Sequence, residues 1–370
     1  ELNWSIPLNI DANYKIPIRL EDLAGNVTDL GVQYVCIDKA MPDINLNYSV
    51  EEAKFWDAIN YKNLGFLFAN NKLTVTAQSN DSIAGIRQIQ FDITDENGAE
   101  KNKKSEISSP SESKEYEVVL PLDADDFKGS FQATTEDFSG NKNGKGHQAV
   151  VQSESNFENQ ASAVITTTTE PSRTVDGVDY YNTDVEFNLT IQDLYAGLRE
   201  LSYTGGDLIG SEDYRTQTGY PGYSSEENLT QEAQTDMVTT FSKDLTLTAE
   251  NNNANDVAVN VSFTNNAGYQ KSEVLKKYNI DTTKPEISVT WDHNEPTNGK
   301  RANDRCYDQT RVATVTIKER NFREEDVTFD VQNWDEGETP LLSSWTTDGS
   351  GDETIHTCTM TFAQDGDYSF

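Results

Sequence analysis

Asp81-Ser-Ile-Ala-Gly85-Ile-Arg-Gln-Ile-Gln-Phe91 returns 112 residues later as Asp193-Leu-Tyr-Ala-Gly197-Leu-Arg-Glu-Leu-Ser-Tyr203. In both copies an acidic turn closes on glycine, and a run of alternating apolar and polar residues starts directly after it. Glycine takes a positive φ without steric cost, and the acidic side chain bonds nearby backbone N–H groups, so the pattern predicts a tight turn. Strict alternation predicts a strand with one face in a core and the other in water. The pair therefore marks the same strand B to strand C connection in two successive β units.

Two further signatures flank it. Glu21-Asp-Leu-Ala-Gly25-Asn26 is echoed by Glu136-Asp-Phe-Ser-Gly140-Asn141 and by Thr264-Asn-Asn-Ala-Gly268-Tyr269, each lying between strands, as an F–G hairpin turn does. Asp38-Lys-Ala-Met-Pro42 and Asp281-Thr-Thr-Lys-Pro285 open new units, and each Asp follows the hairpin glycine by 13 residues. Proline suits the start of an edge strand, where no ladder bond is lost. Fixed order at fixed spacing is the mark of tandem repeats.

Alternation recurs at Lys72–Ala77, Tyr116–Leu120, Asp184–Ile191, Asp256–Phe263 and Arg311–Ile317, with Asn, Asp, Gly and Ser clusters between. A helical period is offered only by Val50 to Tyr61. The chain is predicted to be all-β. Hairpin glycines 25 and 140 lie 115 residues apart, a unit that suits roughly seven short strands in an immunoglobulin-like β-sandwich.

These motifs, with Arg311-Val-Ala-Thr-Val-Thr-Ile-Lys-Glu-Arg-Asn-Phe322, resemble the bacterial Ig-like repeats of large Gram-positive surface proteins, especially those of gut Firmicutes. The expected map is a partial domain at 1–37 (last strands only), Ig-like domains at 38–155 and 156–281, and a partial domain at 282–370 lacking its last strand. The junction near 152–163 lacks the Asp-Thr-Thr-x-Pro opening, and the last unit has Glu319-Arg-Asn-Phe322 where the others carry the Asp…Ala-Gly turn. Units in such arrays are expected to be largely independent. The resemblance implies an extracellular, cell-surface or secreted location. It also implies a non-catalytic adhesin or binding module for a host protein or glycan. Immunoglobulin is one candidate ligand, as for a B-cell superantigen, and a passive stalk of a carbohydrate-active enzyme is the other alternative.

Composition sets the outer limits. The 370 residues carry 63 acidic and 29 basic side chains, a net charge of −34 that repels nucleic acid and anionic membranes. At 35% hydrophobic and 10% aromatic, the chain suits several thin cores rather than one large one. Cys36, Cys306 and Cys358 form no disulfide framework, although Cys306 and Cys358 share a domain on this map.

No nucleophile–base pair, phosphate loop or His/Cys metal spacing appears, so the chain is read as no enzyme, with no cofactor required. Asp123, Asp125 and Asp126, and likewise Asp365 and Asp367, offer hard oxygens to a structural Ca²⁺, though acidic turns explain them as well. Glu21-Asp22 and Glu136-Asp137 sit near junctions that such an ion would stiffen. For a protein partner the segment Thr204 to Thr240 stands out, because Tyr214, Tyr220 and Tyr223 cluster there among Gly and Ser, a paratope-like composition. Trp56, Trp334 and Trp345 are candidates for stacking on sugars, or for core packing.

Overall fold

The computed structural model describes residues 3–50, 66–214, 237–292, 300–301, 304–305, 307, 309–333 and 339–370. The expected helix over 50–61 lies outside them except for Val50, which ends a strand. The regular secondary structure of the described residues is nearly all β-strand, and the chain is a succession of β-sandwiches of immunoglobulin-like topology.

The first element pair is a hairpin, Ala12–Glu21 with Val27–Ile37, antiparallel from Ala12↔Ile37 to Glu21↔Val27 with a slip between Pro17 and Arg19. Asp22 fixes its turn by accepting the Ala24 and Asn26 N–H groups at 2.9 and 2.8 Å. Gly25 supplies the φ of +83° that the turn requires.

Next comes a complete sandwich. One sheet holds Asp43–Val50, Leu73–Asn80 and Ser113–Leu120. The other runs in the order Phe66–Ala69, Lys142–Val151, Phe127–Asp137, Ile86–Asp95, Glu100–Ser111. The alternation predicted from sequence is realised: Leu73, Val75 and Ala77 are fully buried while Thr74 and Thr76 between them face half outward. They pack against Ile89, Phe91 and Phe131 of the opposite sheet. The Asp81 turn carries the chain from one sheet to the other, as a B–C connection does. Phe66–Ala69 runs parallel to Lys142–Val151, whereas the other pairings of this sandwich are antiparallel.

A short helix, Glu154–Gln160, follows; the sequence reading did not foresee it. The Ser153 hydroxyl caps it by accepting the Asn156 N–H at 3.2 Å. A three-stranded sheet then holds Ala161–Thr167, Val185–Asp193 and Thr240–Leu247. A six-stranded sheet is ordered Arg173–Val175, Val178–Tyr181, Gln270–Ile280, Val257–Asn265, Leu198–Gly205, Leu208–Asp213.

In the last sandwich Glu286–Trp291, Arg311–Lys318, Ile355–Phe362 and Leu341–Leu342 form one sheet, and Gln332–Asn333 pairs with Tyr368–Ser369 in another. Cys358 is a free, buried thiol whose Sγ donates to the Ser343 carbonyl at 3.3 Å; Cys36 is free and exposed. Cys306 lies outside the described residues. By packing, the chain divides into two compact units, 1–168 with 186–246 and 258–276, and 169–185 with 247–257 and 277–370.

Candidate functional site: the joint corners

The repeated signatures converge in space. The residue directly after each last strand meets the B–C turn and, at the first two corners, the F–G turn as well. Asp38 follows Val27–Ile37, Gln152 follows Lys142–Val151, and Asp281 follows Gln270–Ile280. Three corners result, each with its own chemistry.

The first corner is made of carboxylates. Asp38, Asp81 and Asp137 are all buried, and each places an oxygen within 4.8 Å of the others. Backbone N–H groups aim them: Asp38 accepts from Ala40 and Ala84, and Asp81 from Ile83 and Gly85. Asp137 accepts from Asn141 through both its N–H and its side-chain amide. Among the described residues no lysine or arginine forms an ion pair with any of the three. Two unit charges at this spacing repel by about 3 kcal/mol at an effective dielectric near 20. Hard oxygens in this number suit a Ca²⁺-like cation and not a soft metal.

The second corner is made of amides. Gln152, Asp193 and Asn265 are fully buried. The Asn265 side-chain amide donates to Gln152 Oε1 at 2.6 Å and to Asp193 Oδ2 at 2.7 Å. Gln152 Nε2 donates to Asn156 Oδ1 at 2.9 Å and approaches both Asp193 oxygens at 3.5 Å. Two carboxylates of the first corner are thus replaced by groups that bond directly to the remaining one.

Around this corner the two sandwiches pack. Phe68 and Val150 meet Ala196 and Ala267, all buried, with Tyr195, Met237 and Tyr269 against them. Tyr269 stacks on Phe157 of the short helix at 5.1 Å and 18°, and Lys128 Nζ donates to the Tyr195 carbonyl at 3.1 Å. Burial, with the carboxylates of Glu154 and Asp126, pushes the Tyr269 ionisation up to about 12 from an ordinary 10.0. Burial raises Tyr195 in the same direction.

The third corner contains a built-in cation. Arg320, from the Glu319-Arg-Asn-Phe322 turn, reaches Asp281 at 3.2 Å and Asp352 at 2.8 Å. It also donates to the carbonyls of Asn253 and Ile280, both at 3.0 Å, and to Asn253 Oδ1 at 2.9 Å. Asn321 donates to Asp281 Oδ2 at 2.5 Å.

The other sequence candidates fall elsewhere. Asp123 pairs with Lys101 at 3.0 Å, Asp125 is exposed, and Asp126 accepts the Ser153 N–H at 2.6 Å. The structure does not gather them into an ion site; among the described residues the acidic group close enough to share an ion is Asp38, Asp81 and Asp137. Tyr214 is 6% exposed and belongs to the packing beside Leu208–Asp213, with little surface to offer a partner. Tyr220, Tyr223, Trp56 and Trp334 lie outside the described residues. Trp345 is half-buried, stacked on Phe329 at 6.2 Å and tilted against Phe322 at 4.9 Å. Sequence reasoning gave Asp81 a turn role only, placed Asp137 near a junction that an ion would stiffen without naming Asp38 and Asp81 as its neighbours, and missed Gln152, Asp193, Asn265 and Arg320 as corner residues. A signal was present, because the Asp that opens a unit has a counterpart at Gln152, 12 residues after Gly140.

No protein-family model matches the chain, and no curated protein matches it. A solved structure described as "Crystal structure of tetra-tandem repeat in extending region of large adhesion protein" aligns with a TM-score of 0.34 at 13% identity, covering 96% of this chain and 74% of that one. Among the described residues no helix is long and apolar enough to cross a membrane.

Proposed function

We propose that this chain is a non-catalytic segment of an extracellular, cell-surface or secreted adhesive protein, divided at 1–37, 38–155, 156–281 and 282–370. The observation that carries the reading is the threefold construction of the corner. A chain that places buried polar groups where consecutive sandwiches join is built for succession, not for turnover. Any direct contact with a host protein or glycan falls to the Thr204–Thr240 segment, through Tyr220 and Tyr223.

The experiment is to immobilise the 370-residue chain and expose it to mucin glycans, serum proteins including immunoglobulin, and a panel of glycoside and peptide substrates. Retention of a ligand without turnover supports a binding segment. No retention and no turnover supports a pure spacer. Turnover of any substrate overturns the non-catalytic reading.

A further inference from the structure

We infer that the second joint is locked by its own side chains, needs no cation, and couples the sandwich before Gln152 to the strands that follow it in the same compact unit. Three independent observations converge on this.

The first is the exchange of chemistry at equivalent positions. Where the first corner sets Asp38 and Asp137 beside Asp81, the second sets Gln152 and Asn265 beside Asp193. One carboxylate among amide donors is a satisfied hydrogen-bond centre, whereas three carboxylates are a repulsive one. The Asn265 amide gives both its protons, one to Gln152 and one to Asp193. A buried Asp193 with donors on it has no demand for an external charge.

The second is apolar burial across the joint. Phe68 and Val150 come from the earlier sandwich, Ala196 and Ala267 from the later sheets, and their exposures run from 0 to 2%. Side chains buried at this level behave as core, and removing one is felt on both sides.

The third is the set of backbone ties that leave the linker no slack. The Gln152 N–H donates to the Ala69 carbonyl at 3.0 Å, the Ser153 N–H to Asp126, and the Tyr269 hydroxyl to the Asn70 carbonyl at 2.6 Å. The helix then begins at once and presents Phe157 to Tyr269. A linker tied at Gln152, Ser153 and Phe157 is not a hinge.

The test is native-state hydrogen exchange on the full chain, following amides in Phe127–Asp137 and in Leu198–Gly205, with and without Ca²⁺ or a chelator. In the unaltered chain the two strands are expected to exchange with the same opening free energy, and with Asp81→Asn at the first corner neither addition should move it. Gln152→Ala should lower protection in both strands together by about tenfold or more, the cost of leaving buried polar partners unsatisfied. Asn265→Asp places a second carboxylate against Asp193, so protection should fall and Ca²⁺ should restore it in that variant alone. Should that variant fail to fold, Tyr269→Phe gives a milder loss by the same readout. Loss confined to one strand, or chelator sensitivity at these amides that persists when Asp81→Asn disables the first corner, overturns the inference.

Discussion

Tyr269 donates its hydroxyl proton to the Asn70 backbone oxygen at 2.6 Å, linking positions 199 residues apart in the chain. Its ring lies flat on Phe157, so the hydroxyl is held where water competes poorly. Tyr269→Phe keeps the stack and loses the bond, and should cost about 1 kcal/mol in chemical denaturation. The same group gives a pH signature. Its folded ionisation lies near 12 against 10.0 unfolded, so its stability contribution is whole below pH 10 and drains away as pH rises from 10 through 12. The Phe variant should show a shallower alkaline decline; an unchanged slope would assign that decline to other groups.

Gly85 and Gly197 close equivalent turns in the two sandwiches that meet at the second joint. Both have positive φ, +75° and +74°. A Cβ on Gly85 would stand 3.0 Å from Pro110 Cβ and from the Ser111 N, and one on Gly197 would stand 3.1 Å from the Val238 carbonyl. Either change to Val should cost at least about 1–3 kcal/mol from the backbone alone. Gly197→Val, next to buried Ala196, should also reduce hydrogen-exchange protection in Phe127–Asp137, and Gly85→Val, acting through the same joint, should reduce it in Leu198–Gly205.

Asp81→Asn keeps an acceptor for the Ile83 and Gly85 N–H groups and removes one of three crowded charges. In chelator-containing buffer it should stabilise the chain by about 1–3 kcal/mol, since like charges at this range disfavour one another. A lower melting temperature in that buffer would show that the carboxylate's charge is needed by its backbone donors.

Arg320 is held by five acceptor contacts with its side chain only 11% exposed. Arg320→Ala leaves Asp281 without its cationic partner and should cost about 3–5 kcal/mol. Arg320→Lys should rescue little, because a point ammonium cannot reproduce the guanidinium fork. Urea midpoints of the two variants decide it: near-complete rescue by Lys would reduce the corner to simple charge balance.

His147 sits between Tyr48 at 5.9 Å and Phe131 at 6.5 Å. Burial, assisted by Lys145, holds its proton affinity below the ordinary 6.5. The folded sandwich favours neutral imidazole, so its contribution is present above pH 6.5 and lost as pH falls below it. His147→Gln should flatten the acid limb of a stability–pH curve measured between pH 7 and 5.

Much of the fold was legible because strands with one wet face announce themselves. Val185–Asp193 and Val257–Asn265 are visible in plain alternation, and the positive φ of Gly85 and Gly197 follows from their place before a strand. The corners were not legible in the same way. Asp38, Asp81 and Asp137 are far apart in sequence, and each has a sufficient local reason to exist as a turn acidic residue. Only the fold shows that their oxygens meet. Gln152 was hidden further, because its junction lacks the Pro-bearing opening that flags the others. The tyrosine cluster shows the converse limit: aromatic composition marks Tyr214 as available, while the fold leaves it buried. The units, expected to be largely independent, share a buried packing surface at Phe68 and Ala267.

The short strand Phe66–Ala69 lies parallel to Lys142–Val151, from Phe66↔Gln148 to Ala69↔Val151. Tyr180 and Tyr181 run parallel to the end of Gln270–Ile280 in the same way. In a parallel pair one strand's start and the other's finish lie at opposite ends of the ladder. Tension that draws an early strand and the last strand of a sandwich apart therefore loads every bond of that ladder at once, in shear. An antiparallel pair at the same place would be peeled one bond after another. The few residues of these parallel patches thus set the pulling force a sandwich withstands before it yields, independently of how much heat or denaturant it survives.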